Sequence, residues 1–237
     1  MNIVITGASR GIGYELAKRF ATDINHKVVV IARNRLKLEQ LRRECHSQYP
    51  GARIYPLVLD LNLDKLPLSF VPELLSCVNS VDILVNNAGM LINKPFDELT
   101  REEVEAIFRV NVLSLFDLIR LMLPYMGKGE KPTHIVNISS MGGFQGSKKY
   151  GGLSAYSASK AALGCLTECL AEEVTGRNIA VNCLCLGAVQ TEMFAQAFPG
   201  ERALMTPAKM AHFIRDFALN GVANFNGKII PVSATLP

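Results

Sequence analysis

The chain has 237 residues, 49% of them hydrophobic and 19% charged, with a net charge of +4. This composition suits a well-filled globular protein and excludes a disordered or collagen-like chain. The small positive balance argues against nucleic acid or an anionic membrane surface as a partner. Lys128, Lys131, Lys148 and Lys149 lie in one region, which reads as a solvated loop. No apolar run reaches the roughly 18 residues that span a bilayer. Met1 leads almost at once into a strand-like run, so no targeting segment is expected and the reading is cytoplasmic. Of the six cysteines, Cys165 and Cys169 share a helix face and Cys183 and Cys185 a strand face. Neither pair has a partner at zinc spacing, so no metal is expected and the thiols read as reduced and mostly buried.

Short β-branched runs alternate with longer helical patterns. Strands are expected at 2–7, 27–33, 53–61, 81–89, 133–139, 178–187 and 227–232. Helices are expected at 11–22, 34–47, 66–78, from about 100 onward, at 154–175 and near 207–219. Thr100 and Glu103 form a capping box at the start of the fourth helix. Strands apolar on both faces and separated by helices predict a doubly wound parallel sheet of the α/β class, Rossmann-like, in three layers. No linker or repeat interrupts the pattern, so residues 1–237 read as one domain, with an integral substrate loop around 188–210.

Ligands of such sheets bind at the carboxyl ends of the strands. The first end is "TGASRGIG", with Gly7, Gly11 and Gly13 between strand and helix. Glycines there permit positive φ and let a pyrophosphate approach the helix N-terminus; a tight turn without a ligand is the alternative. At the second strand end, where a carboxylate would bind the adenosine ribose of NAD, the chain has Ala32, Arg33 and Asn34. With Arg10 in the glycine loop, two guanidinium groups suit a 2′-phosphate, unless both are merely solvated. Asp60 follows the third strand and "NNAG", Asn86 to Gly89, the fourth. Asn111 lies inside an apolar helix, where it is a poor fit and reads at least as a local kink. Ser139 and Ser140 end the fifth strand, and Gly187 and Thr191 follow the sixth. Tyr156 and Lys160, four apart, share a helix face.

These residues, in this order, resemble the compact, single-domain short-chain dehydrogenases/reductases. The matching set is Thr6-Gly7-x-x-x-Gly11-x-Gly13, Asp60, Asn86-Asn87-Ala88-Gly89, Asn111, Ser140 and Tyr156-x-x-x-Lys160. Leu186-Gly187 stands where the family usually has Pro-Gly, and "PVSATLP" where it often has a Val-Asp-Gly-Gly-like turn. The segment from Thr191 to Pro207 is short for a substrate lid.

The resemblance implies hydride transfer between a nicotinamide and a carbonyl or alcohol. Tyr156 would be the general acid and base, with Lys160 lowering the phenol's pKa and binding the nicotinamide ribose. Ser140, with Ser139 as runner-up, would hold the carbonyl oxygen, and Asn111 would anchor a relay water. The implied cofactor contacts are Gly7, Ser9, Arg10, Gly11, Ile12, Gly13, Arg33, Asn34, Asp60, Leu61, Asn87, Ala88, Gly89, Tyr156, Lys160, Gly187, Val189 and Thr191. NADP(H) is expected over NAD(H). The substrate would be a small ketone or a 3-oxoacyl thioester, in a pocket to which Met141, Met193, Phe194, Phe198 and Met205 contribute. A homodimer or homotetramer is expected, paired through the helices near 100–125 and 154–175. A non-catalytic NADP-binding regulatory protein is the alternative.

Overall fold

A computed structural model describes residues 1–233; part of "PVSATLP" lies outside the described residues. The strands β1 (Asn2–Thr6), β2 (Lys27–Ala32), β3 (Arg53–Val58), β4 (Ile83–Asn86), β5 (Thr133–Ser140), β6 (Ile179–Leu186) and β7 (Lys228–Val232) form one sheet. Its order is β3-β2-β1-β4-β5-β6-β7 and every pairing is parallel. The order reverses between β1 and β4, which opens a crevice at their carboxyl ends.

Alternate side chains of each strand enter opposite layers. Ile3, Ile5, Val28 and Val30 pack with Leu16 and Phe20 of α1 (Gly11–Phe20), Leu38 of α2 (Arg35–Gln48) and Ile214 of α8 (Pro207–Asn220). Val4, Val29, Leu84 and Ile135 face the other way. They meet Phe70 of α3 (Phe70–Cys77), Leu118 of α5 (Ser114–Met122) and Leu170 of α6 (Ser154–Glu173). Both faces of the sheet are therefore covered, as its doubly apolar strands require.

The helix expected from about residue 100 is broken. The capping box at Thr100 and Glu103 starts α4 (Arg101–Phe108), a π-helical turn follows over Arg109–Leu113, and α5 resumes at Ser114. Asn111 sits in the π turn, fully buried. The expected 53–61 and 81–89 strands stop at Val58 and Asn86, leaving Asp60, Leu61 and Asn87 to Gly89 in the connections. A short helix, α7 (Glu192–Ala197), stands where none was expected. Lys149 is also more than solvated: its Nζ donates to Phe144 O at 2.6 Å and to Ser147 Oγ at 2.9 Å, closing the 144–149 loop. Cys183 and Cys185 are buried as expected, whereas Cys165 and Cys169 are exposed.

On the α8 side, buried His134 joins three elements. Its Nδ1 lies 3.0 Å from Ala218 O and its Nε2 3.0 Å from Asn182 Nδ2. These partners assign the proton to Nδ1, with Nε2 accepting. Burial holds the pKa down, from 6.5 to about 4, against the Ala218 hydrogen bond. The unfolded chain then binds a proton that the folded chain refuses, so stability falls as pH drops from about 6.5 towards 4. The loss is on the order of 3 kcal/mol, at 1.36 kcal/mol per pKa unit. Urea unfolding from pH 7 to pH 4 should show this decline, and His134→Gln should flatten it.

Candidate active site

The crevice is built from the strand ends inward. Thr6, the last residue of β1, accepts at Oγ1 from the backbone N–H groups of Asn87 and Ala88, each at 3.0 Å. Asn87 Nδ2 donates back to Thr6 O at 3.0 Å and to Gly7 O at 3.3 Å. The glycine loop is fitted around this amide. A Cβ at Gly13 would stand 2.5 Å from Asn87 Nδ2, and one at Gly7, where φ is +69, would stand 2.8 Å from Ala88 Cα. These two glycines are demanded by the meeting of β1 and β4 before any ligand is considered.

The loop leads into α1 with no side-chain cap and no acidic residue in the first turn. Its N–H groups are left for an anion, which is the fit that a dinucleotide pyrophosphate requires. Ser9 and Ile12 are half-buried here and Arg10 is exposed. Arg33 at the end of β2 is exposed too, and neither guanidinium has a partner among the described residues. Buried Ala32 supplies no carboxylate at that strand end. Asn34 already has a structural task, since its Oδ1 caps α2 by accepting from Lys37 N at 3.0 Å. Asp60 Oδ1 accepts from Asn62 N at 2.9 Å in a tight turn beside buried Leu61.

Beyond β4 the four expected catalytic side chains are brought together. Asn111 Oδ1 accepts from Met90 N at 2.7 Å, and its Nδ2 donates to Met90 O and to Ser159 Oγ, both at 2.9 Å. The π turn thus delivers an amide that saturates the backbone just after Gly89, a use often made of such bulges. Ser159 Oγ in turn donates to Tyr156 O at 2.7 Å. Lys160 is 4% exposed, and its Nζ donates to Ile138 O at 2.8 Å. That Nζ lies 5.9 Å from the centre of the Tyr156 ring.

The two serines divide their work. Ser139 Oγ is buried and donates to Lys160 O at 2.8 Å, tying β5 to α6. Ser140 instead accepts from Gly142 N at 3.1 Å, and its hydroxyl is near enough to the Tyr156 phenol to act on its acidity. Ser140 is therefore the serine that faces the phenol, and Ser139 is structural.

The electrostatics differ from expectation. Burial pushes the Tyr156 pKa above its ordinary 10.0, and only the Ser140 hydroxyl pulls the other way. Burial likewise lowers Lys160 from 10.5 to about 8, opposed by the neighbouring Cys183 and Cys185 thiols. Burial is the larger influence on the phenol here, with the Lys160 Nζ 5.9 Å from the ring. What results is a proton-holding phenol with the Ser140 hydroxyl near it and an ammonium fixed on Ile138 O, 5.9 Å from the ring.

The far side of the crevice comes from the chain after β6. Gly187 N donates to Val232 O at 2.9 Å, and a Cβ on Gly187 would stand 2.8 Å from Ser233 Oγ. Leu186 is buried at the site of the usual family proline. Val189 bridges to Met205. Thr191 caps α7, its Oγ1 accepting from Phe194 N at 3.1 Å, and its methyl group stands 3.3 Å from where a Cβ on Gly11 would be. The expected pocket residues Met141, Met193, Phe194, Phe198 and Met205 are all half-buried, with the Phe194 and Phe198 rings 5.2 Å apart. Sequence patterns do not mark Asn93, Ser159 or α7. Their parts depend on contacts between distant segments, and none stands out in the local pattern.

The family model for short chain dehydrogenases matches residues 1–202. The chain is 32% identical over 218 residues to carbonyl reductase [NADPH] 2 of Sus scrofa, spanning 92% of this chain and 83% of that protein. It is 31% identical over 220 residues to a ketoacyl reductase of a Nostoc strain, spanning 90% and 73%. A short chain dehydrogenase of Shigella flexneri complexed with NADP superposes with a TM-score of 0.86 at 28% identity, covering 97% of this chain and 95% of that one. With the glycine loop, the Asn87 clamp and the joined Asn111, Ser140, Tyr156 and Lys160 in place, the chain belongs to the short-chain dehydrogenase/reductase family and is an oxidoreductase acting on carbonyl or alcohol groups.

Proposed function

We propose that the chain is an NADPH-preferring carbonyl reductase, cytoplasmic, with residues 1–237 working as one domain and 188–210 as its substrate loop. The observation that carries this reading is the gathering of Asn111, Tyr156 and buried Lys160 beside Gly89, with Lys160 Nζ 5.9 Å from the centre of the Tyr156 ring and Ser140 at the adjoining end of β5. The names of the carbonyl and ketoacyl reductases that it resembles support the reaction class. The complete Asn-Ser-Tyr-Lys set weighs against the regulatory alternative. Loss of NADPH absorbance across a panel of ketones, diketones and 3-oxoacyl thioesters tests the reading and narrows the substrate.

When bound, the nicotinamide supplies the hydride. The protein's part is to hold the carbonyl and deliver a proton. Ser140 donates to the carbonyl oxygen and fixes it beside the phenol, where negative charge develops. Tyr156 gives up its proton in reduction and regains one in the reverse direction. A raised phenol pKa keeps that proton in place until the oxygen becomes basic enough to take it. Lys160 binds the ribose of the nicotinamide half and places its charge under the developing phenolate. Asn111, whose amide also holds Met90 and Ser159, would anchor the relay water.

Gly7, Ser9, Gly11, Ile12 and Gly13 cradle the pyrophosphate, and Asp60 and Leu61 flank the adenine. Asn87, Ala88, Gly89, Gly187, Val189 and Thr191 line the nicotinamide side. Arg10 and Arg33, unpaired and exposed, take the 2′-phosphate, with Asn34 at the rim of that pocket. A second copy pairs with this one through α5 and α6. Leu113, at the end of the π turn, and Phe116 on α5 are 57% and 51% exposed, and Ala158, Cys165 and Cys169 on α6 are exposed as well. Apolar faces of that kind are normally covered.

Tyr156→Phe should fold and bind NADPH normally yet lose about 10²- to 10⁴-fold in turnover, measured with the best substrate of the panel. Replacing Ala32 by Asp together with Arg33 by Ser should shift kcat/KM towards NADH by about 10²-fold, mostly through KM. Equal use of both cofactors by the wild type would show that the two arginines are only solvated. Sedimentation at micromolar concentration should give a dimer or tetramer, and a monomer would contradict the pairing.

A further inference from the structure

Two loops and one short helix meet at the side chain of Asn93. Residues 90–94 leave the crevice after β4, fixed at their root by Asn111 on Met90. Farther out, Lys94 N donates at 3.0 Å to Gly152 O, in the segment leading into α6 and Tyr156. Gly152 has φ +78, and a Cβ there would overlap Asn93 Oδ1 and stand 3.3 Å from Lys94 N. On its other side Asn93 reaches across 104 positions in sequence, its Nδ2 donating to Ala197 O at 2.7 Å. Ala197 is the last residue of α7 and is buried.

The opposite end of α7 lies over the glycine loop, where Thr191 meets Gly11. A helix of six residues is about 9 Å long, so α7 spans from the phosphate end of the crevice to its substrate end. It is too short to hold its position alone. Val189 and Met205 anchor the base of its loop in the core, and among the described residues its hydrogen bonds close on the loop itself. Val189 bridges to Met205, Gln190 N donates to Met205 O at 2.8 Å, and Gln190 Oε1 accepts from Ala203 N at 2.7 Å. Among the described residues, the Asn93 bond is the one hydrogen bond that crosses from the 90–94 loop to α7.

We propose that Asn93 is a positioning residue that latches the C-terminal end of α7 onto the 90–94 loop. It thereby sets how far the substrate compartment opens and how bulky a carbonyl compound it admits. This rests on the carbonyl-reductase reading above. The cofactor end of α7 lies against Gly11 through the Thr191 methyl group, away from Asn93, so releasing the latch acts on substrate and spares NADPH.

The test compares Asn93→Ala with Asn93→Asp. The aspartate keeps an oxygen beside Gly152 but has no donor for Ala197 O. One hydrogen bond at a half-exposed site corresponds to about a five- to tenfold change in equilibrium. Both variants should raise KM for a small ketone by about that factor and leave kcat and the NADPH Kd, from fluorescence titration, within about twofold. Their preference should move towards bulkier ketones. Trypsin should cut faster at exposed Arg202, in the loop released with α7. Unchanged KM and unchanged cleavage at Arg202 in two normally melting variants would overturn the proposal. So would an equal loss of NADPH affinity, which marks a general structural role. If the wild type reduces no carbonyl compound at all, the functional reading fails, and the rate of cleavage at Arg202 still decides whether the latch exists.

Discussion

Lys160 Nζ donates to the carbonyl of Ile138 at the end of β5, 2.8 Å away, with the residue only 4% exposed. An ammonium buried in this way costs several kcal/mol of desolvation unless its donors are met. The depressed pKa of about 8 is the visible residue of that cost. Everything nearby keeps this one group in register. Ser139 spends its hydroxyl on Lys160 O, so the helix cannot slide along the strand. Ser159, next in sequence, joins the same turn to Asn111, and Asn111 joins it to Met90. A helix, a π turn and two strand ends thus share one polar junction. An α-helical continuation through Arg109–Leu113 would turn that amide elsewhere, which gives the bulge a physical reason.

A second polar chain stiffens the sheet beneath. Asn86 Nδ2 donates to Asn137 Oδ1 at 2.8 Å, and Asn137 Nδ2 donates to Thr167 Oγ1 at 2.9 Å. All three residues are fully buried. They cross from β4 through β5 into α6, parallel to the Ser139 tie. Such networks are rigid when satisfied, because breaking one bond strands a polar group in apolar surroundings. Asn86 Oδ1 is the one member left without a protein partner. With Thr6 clamping Asn87 and Ala88 from β1, the floor of the crevice is held from three strands. The wall opposite is different in kind. It consists of loops and of α7, tied by isolated hydrogen bonds at the surface, and that contrast suits a fixed chemical centre served by an adjustable entrance.

The sequence by itself determined the alternation of strands and helices, the parallel sheet, the Thr100–Glu103 cap and the identity of the glycine loop and the Tyr156–Lys160 turn. These are local matters. Period-two and period-3.6 patterns, capping chemistry and motif spacing all act within one or two turns of chain. Tertiary structure alone decided the rest. The break at Asn111 arises because an amide is needed at Met90, 21 positions away. The shortness of β4 follows from its polar end turning back to Thr6. The α7 helix has six residues and no periodicity to read; Thr191 caps its start and Asn93, 104 positions away, meets its last carbonyl. The Tyr156 phenol is raised rather than lowered because its pKa depends on how much water the assembled crevice excludes. Spacing along the chain carries the distance from Tyr156 to Lys160 but carries nothing about that water.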